Sequence, residues 1–219
     1  MHGYLSCKES FIKQIKFFER DYEVFAFDFK GFGDNKGMEY PYSLDDYVIE
    51  TKEYFYKKGL KSPSVIAHSF GGRVAIKSAY TDKNFFSKIV LTGAAGLKPK
   101  KTLSKEIKTK TFKFLSKFIK KERLKSFYSK DYLSLDDVMK ESFIKIVNEH
   151  LDSLLGGIHN KTLIINGKND RETPLYMAKR LNLGIKNSKL VIIENAGHFC
   201  FIDKSDKFNM EVREFLLSK

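Results

Sequence analysis

The strongest constraint on this chain is a repeated switch in the spacing of its apolar residues. Five runs are short, apolar and mostly β-branched: "EVFAFDF" (23–29), "SVIAHS" (64–69), "KIVLTGA" (88–94), "TLIING" (162–167) and "KLVIIENAG" (189–197). Between them, apolar residues fall three to four apart. The first pattern suits strands buried on both faces and the second suits helices. "SLDDYVIETKEYFYKKG" opens with Ser43 as an expected N-cap, and Pro174 is expected at the first position of a later helix. The alternation predicts an α/β fold, a mostly parallel sheet flanked by helices. Sites in such sheets gather beyond the carboxyl ends of the strands.

Three polar residues fall at those ends. "SVIAHSFGGRVAIKSA" places Ser69 where a strand pattern gives way to a helix pattern, with Ala67 and Gly71 two residues to either side. Small flanks allow a strained turn that exposes the hydroxyl near a helix N-terminus, where N–H groups meet developing negative charge. A serine N-cap with glycines for close packing fits the same turn equally well. "NGKNDRETP" then puts Asp170 past one strand, and "NAGHF" puts His198 past the last. A hydroxyl becomes a nucleophile when an imidazole takes its proton, and the imidazole works best when a carboxylate fixes its tautomer. Serine, acid and histidine at one sheet edge, each on its own loop, supply those parts.

With "HGYLSCKESF", "DFKGFGDNKG", "AHSFGG", "GKNDRETP" and "AGHF" in this order, nearly the whole chain resembles the α/β-hydrolases. The resemblance implies Ser69 as nucleophile, His198 as general base and Asp170 as the acid that orients it. It places the oxyanion hole on the backbone N–H groups of Tyr4 and Phe70, whose side chains would shape the pocket mouth. Ala67 departs from the G-x-S-x-G pattern by one methyl group. His68 and His2 are expected to support their loops, and Asp28, Gly31 and Gly33 to shape a turn. Asp203 and Glu194 are alternative carboxylates for His198. In similar proteins an apolar strand leads directly into the "HG" pair, between the "EVFAFDF" and "SVIAHS" strands. The expectation is therefore that Met1 is a late start, with ~20 to 30 further residues upstream, and that without them those two strands flank a gap.

Residues 98–157 interrupt the alternation and divide the core into 1–97 and 158–219. Leu103, Ile107, Phe114 and Phe118 at helical spacing predict one amphipathic helix, and Phe143, Val147, Leu151 and Leu154 predict a second. A small helical cap, which the family inserts here, is expected. Between Lys98 and Lys130 thirteen Lys or Arg face only Glu106 and Glu122, so most of the chain's net charge of +13 sits in this segment. A solvated lysine-rich face explains it first. An acidic acyl carrier protein or an anionic membrane surface comes second, and nucleic acid last, because no recognition motif accompanies the charge.

At 219 residues and 42% hydrophobic content the chain can bury one sizeable core. No apolar run approaches 18 residues, no signal-peptide pattern opens the sequence, and Cys7 and Cys200 lack framework spacing. The expectation is a reduced cytoplasmic protein. No metal or cofactor motif is visible, so none is expected. The leading function is hydrolysis of a small acyl ester or thioester through an acyl-enzyme. Carbon–carbon bond hydrolysis or related triad chemistry is the alternative, and a non-catalytic ligand-binding homologue is the reading from another class.

Overall fold

A computed structural model describes residues 1–100 and 135–218. Its centre is a sheet of four parallel strands, β1 (Val65–His68), β2 (Lys88–Thr92), β3 (Lys161–Gly167) and β4 (Ser188–Ile193), whose spatial order is the chain order. Val65 lies opposite Ile89, Ile89 opposite Thr162, and Thr162 opposite Ser188. Side chains alternate across the sheet, so the runs feed two cores. Ile89, Leu91 and Ile164 join one cluster with α2 (Leu44–Lys57), α3 (Phe70–Thr81) and α5 (Leu175–Gly184). Val90, Leu163 and Ile165 join the other with α1 (Ile12–Phe18), α6 (Cys200–Asp203) and α7 (Ser205–Leu217). Continuous apolar runs are what a sheet covered on both faces requires.

Ser43 caps α2 as expected: its hydroxyl accepts from Asp46 N–H, while the Asp46 carboxylate accepts from Ser43 N–H. Pro174 is the N-cap of α5 instead of its first helical residue. The reason lies upstream, where the Asp170 carboxylate holds the Glu172 and Thr173 N–H groups in a turn that extends to the proline.

Two expectations need correction. Residues 23–29 run without a strand ladder, and a cavity lies between them and β1. That cavity, of about 340 Å³, is lined by Val24–Phe27, Ser64–Ile66 and Met1. The Met1 amine donates to Ile66 C=O (2.8 Å) and Met1 C=O accepts from His68 N–H (3.0 Å), a parallel bridge opposite Ala67. The helix expected around Phe143 is α4 (Asp137–Asn148), and it buries Met139, Ser142 and Ile146. It stops at Asn148. There the buried Arg73 guanidinium takes the Ile146 and Glu149 carbonyls (2.9 and 2.8 Å), and Leu151 N–H turns to Gly96 C=O. Leu151 and Leu154 therefore fall beyond the helix, Leu154 in a 3-10 turn (Asp152–Gly157). The expected helix through Leu103–Phe118 lies outside the described residues.

Candidate active site

Ser69 stands between the last residue of β1 and the first of α3, with φ 48° and ψ −108°. A positive φ is strained for any residue with a side chain and persists only where neighbours hold it. Here Ser69 N–H donates to Thr92 C=O and Ser69 C=O accepts from Ala95 N–H, both at 3.1 Å, tying the elbow to the end of β2. The glycines are needed for close approach. A Cβ on Gly71 would lie 2.5 Å from the Met1 carbonyl oxygen, and one on Gly72 would lie 2.7 Å from Ala94 Cβ. Ala67 is fully buried, and the core accommodates its methyl group.

The end of β4 leads into the loop carrying His198, whose Nδ1 lies 2.9 Å from Asp170 Oδ2. Asp170 is buried, and its other oxygen accepts the Glu172 and Thr173 N–H groups at 2.9 Å each. Thr173 Oγ adds a bond to Oδ2 (2.8 Å). Burial works to raise the Asp170 pKa, but the bonds from His198 and Thr173 outweigh it and hold the carboxyl below its ordinary range. An ionised acceptor at Nδ1 puts the imidazole proton there and leaves Nε2 as the open base. That nitrogen lies 3.3 Å from Glu172 Oε2. The alternative carboxylates lie elsewhere: Glu194 pairs with Lys168, and Asp203 accepts Gly197 N–H.

The supporting residues are placed as the sequence suggests. His68 Nε2–H donates to the His198 carbonyl (3.1 Å), and the two rings lie 4.6 Å apart. His2 donates through Nδ1 to Gly3 C=O (2.7 Å) and accepts Phe29 N–H at Nε2 (3.1 Å). Burial lowers His68 to about 3 and His2 to about 4, so both are neutral near pH 7. Asp28 accepts Lys8 and Asp34 N–H groups and anchors a turn in which Gly31 and Gly33 have positive φ.

Ser69, His68, His198 and Glu172 share a pocket of about 420 Å³ with Tyr4, Leu135 and Phe143. Tyr4 lines it, and its hydroxyl donates to Met139 C=O on α4. Phe70 does not shape the mouth: its ring is core, 2% exposed, with the edge of Tyr4 against it. Among the described residues no acceptor takes the Tyr4 N–H or the N–H of Phe70, the first residue of α3, so both remain available as donors. Sequence reasoning missed Thr173, Glu172 and Arg73. An Asp followed two and three residues later by turn N–H donors could have marked Thr173.

Residues 1–211 match the Alpha/beta hydrolase family. The AB hydrolase superfamily protein YisY of Bacillus subtilis is 26% identical over 90% of this chain and 82% of its own length. A Pseudomonas putida protein named 2-hydroxy-6-oxononadienedioate/2-hydroxy-6-oxononatrienedioate hydrolase 1 is 29% identical over 73% of this chain and 65% of its own. The esterase EaEST from Exiguobacterium antarcticum superposes with a TM-score of 0.79 at 23% identity, covering 100% of this chain and 90% of that one. That last likeness speaks to the fold alone. The family match spans all four strands, the elbow and the His198 loop, and the chain belongs to the α/β-hydrolase family.

Proposed function

We infer that the chain is a serine hydrolase of carboxylic esters or thioesters. One observation carries this reading: the His198–Asp170 pair opens onto the same pocket as a serine held at positive φ. In the reaction, Ser69 Oγ attacks the acyl carbonyl while His198 Nε2 accepts its proton. The Tyr4 and Phe70 N–H groups stabilise the oxyanion. Nε2–H then protonates the leaving oxygen or sulfur, the carbonyl re-forms, and an acyl-Ser69 ester remains. Water, deprotonated by the same nitrogen, attacks that ester and releases the acid. Asp170 keeps the imidazole in the required tautomer and stabilises the imidazolium.

Ser69→Ala should abolish labelling by a fluorophosphonate probe and lower kcat on an activated ester by roughly 10⁴-fold or more. Asp170→Asn should lose roughly 10³ to 10⁴-fold while still folding. Undiminished labelling of Ser69→Ala would end the reading. The name of the Pseudomonas putida relative favours a second reading, carbon–carbon bond hydrolysis with the same triad. Turnover of the substrate in that name, faster than of any ester in a chain-length series, would select it.

A further inference from the structure

The triad leaves one charged group on the pocket wall unexplained. Glu172 cannot be the orienting acid, because Asp170 already holds Nδ1. Its carboxylate lies instead 3.3 Å from Nε2, the nitrogen that passes the proton to the leaving group. The backbone of Glu172 is pinned there, since its N–H donates to Asp170 Oδ1 in the turn that builds the His–Asp pair. The side chain, 68% exposed, is free to swing from Nε2 toward solvent. It is the one carboxylate among the described residues lining this pocket, and no lysine or arginine lines it with them.

We propose that Glu172 is a specificity-determining residue that favours esters with neutral or cationic leaving groups and rejects anionic ones. This rests on the hydrolase reading of the site. The departing oxygen must come within hydrogen-bond reach of Nε2 to receive its proton. Any charge carried on the leaving group is therefore drawn to within a few ångströms of the Glu172 carboxylate, whether that carboxylate rests on Nε2 or has swung aside. Like charges ~6 Å apart, at an effective dielectric between that of a protein surface and water, shift a rate about tenfold. An ammonium on the leaving group gains by a similar factor. A charge on the acyl side of the ester should matter less, because the proton is delivered to the leaving group.

The test uses three phenyl acetates that differ only at the meta position: unsubstituted, carboxylate and trimethylammonium. The full chain and Glu172→Gln are compared at low salt by kcat/KM. The neutral amide should raise the anionic-to-cationic ratio about a hundredfold, the product of a tenfold effect on each charge, with a smaller change for phenyl acetate, and high salt should shrink the difference. Because each comparison is a ratio on one enzyme, a general effect of the variant on His198 cancels. An unchanged ratio overturns the proposal. A readout without turnover separates it from the hydrolase reading: calorimetric affinities of Ser69→Ala for 3-hydroxybenzoate and 3-hydroxyphenyl-trimethylammonium, with and without Glu172→Gln. If no ester is cleaved but these affinities move in opposite directions, the charge selection stands and the hydrolase reading falls. If esters are cleaved and neither measure moves, Glu172 has no such role.

Discussion

The two edges of β1 meet different surroundings. On one side β2 completes a ladder from Val65 opposite Ile89 to His68 opposite Thr92. On the other side Met1 supplies a single bridge, and beyond it the 340 Å³ cavity separates β1 from Val24–Phe27. Both flanking segments are apolar runs of the same character, "KIVLTGA" and "EVFAFDF". The difference shows that an apolar pattern specifies burial, whereas a strand also needs a neighbour within hydrogen-bonding distance.

Hydrogen exchange should display this contrast most strongly. N–H and C=O of one residue point to the same side of a strand, and Ile66 C=O and His68 N–H both face Met1. Ile66 N–H therefore points into the cavity and Ala67 N–H toward β2. The Ala67 amide should be protected on the order of 10³-fold more than that of Ile66, its neighbour in sequence. Equal protection would mean that the cavity is closed in solution and that the two edges are alike.

This contrast also marks what the sequence could disclose. Four of the five strand runs form ladders, because each is buried between helices that the intervening patterns also specify. Ser69, Asp170 and His198 were legible because each sits just past a strand, where topology rather than side-chain detail decides its place. Residues 23–29 misled because pairing is a property of two segments and periodicity reads one. Arg73 and the early end of α4 were hidden for a similar reason: a guanidinium that captures carbonyls 73 and 76 residues away leaves no local trace. Glu172 reads as an ordinary loop carboxylate until the His198 ring is placed beside it.

Packing should follow the same division with a smaller effect. Leu91, on the β2 side, is 1% exposed within a closed core, so Leu91→Ala should cost about 3 kcal/mol. Phe25 is half-buried and already borders open space, so Phe25→Ala should cost about 1 kcal/mol or less despite removing a larger side chain. Urea midpoints at constant m would measure both. A Phe25→Ala loss matching that of Leu91→Ala would show that the flank is as tightly packed as the sheet interior.

Acid should separate the two sides by a smaller margin still. Burial lowers the Met1 amine to about 5, His2 to about 4 and His68, on β1 itself, to about 3. A base whose folded pKa is depressed binds fewer protons folded than unfolded at any pH between the two values. Its stabilising contribution is thus fully present above the unfolded pKa and is lost as pH falls toward the folded one. For His68, with an unfolded value near 6.5, the loss between pH 7 and pH 5 is on the order of 2 kcal/mol. Asp170 and Asp28, also lowered, add to the loss only below the ordinary carboxylate range, outside this window. His68→Gln can still donate to the His198 carbonyl but cannot take up the proton, so its stability should fall less over the same interval by about that amount. Identical pH profiles for His68→Gln and the parent would show that His68 is not held neutral by burial. If the difference appears, the protection factor at pH 5 should fall first at His68, whose N–H bonds Met1, and later at Ile164 on β3. The edge of β1 held by a single bridge would then be the place where acid begins to open the sheet.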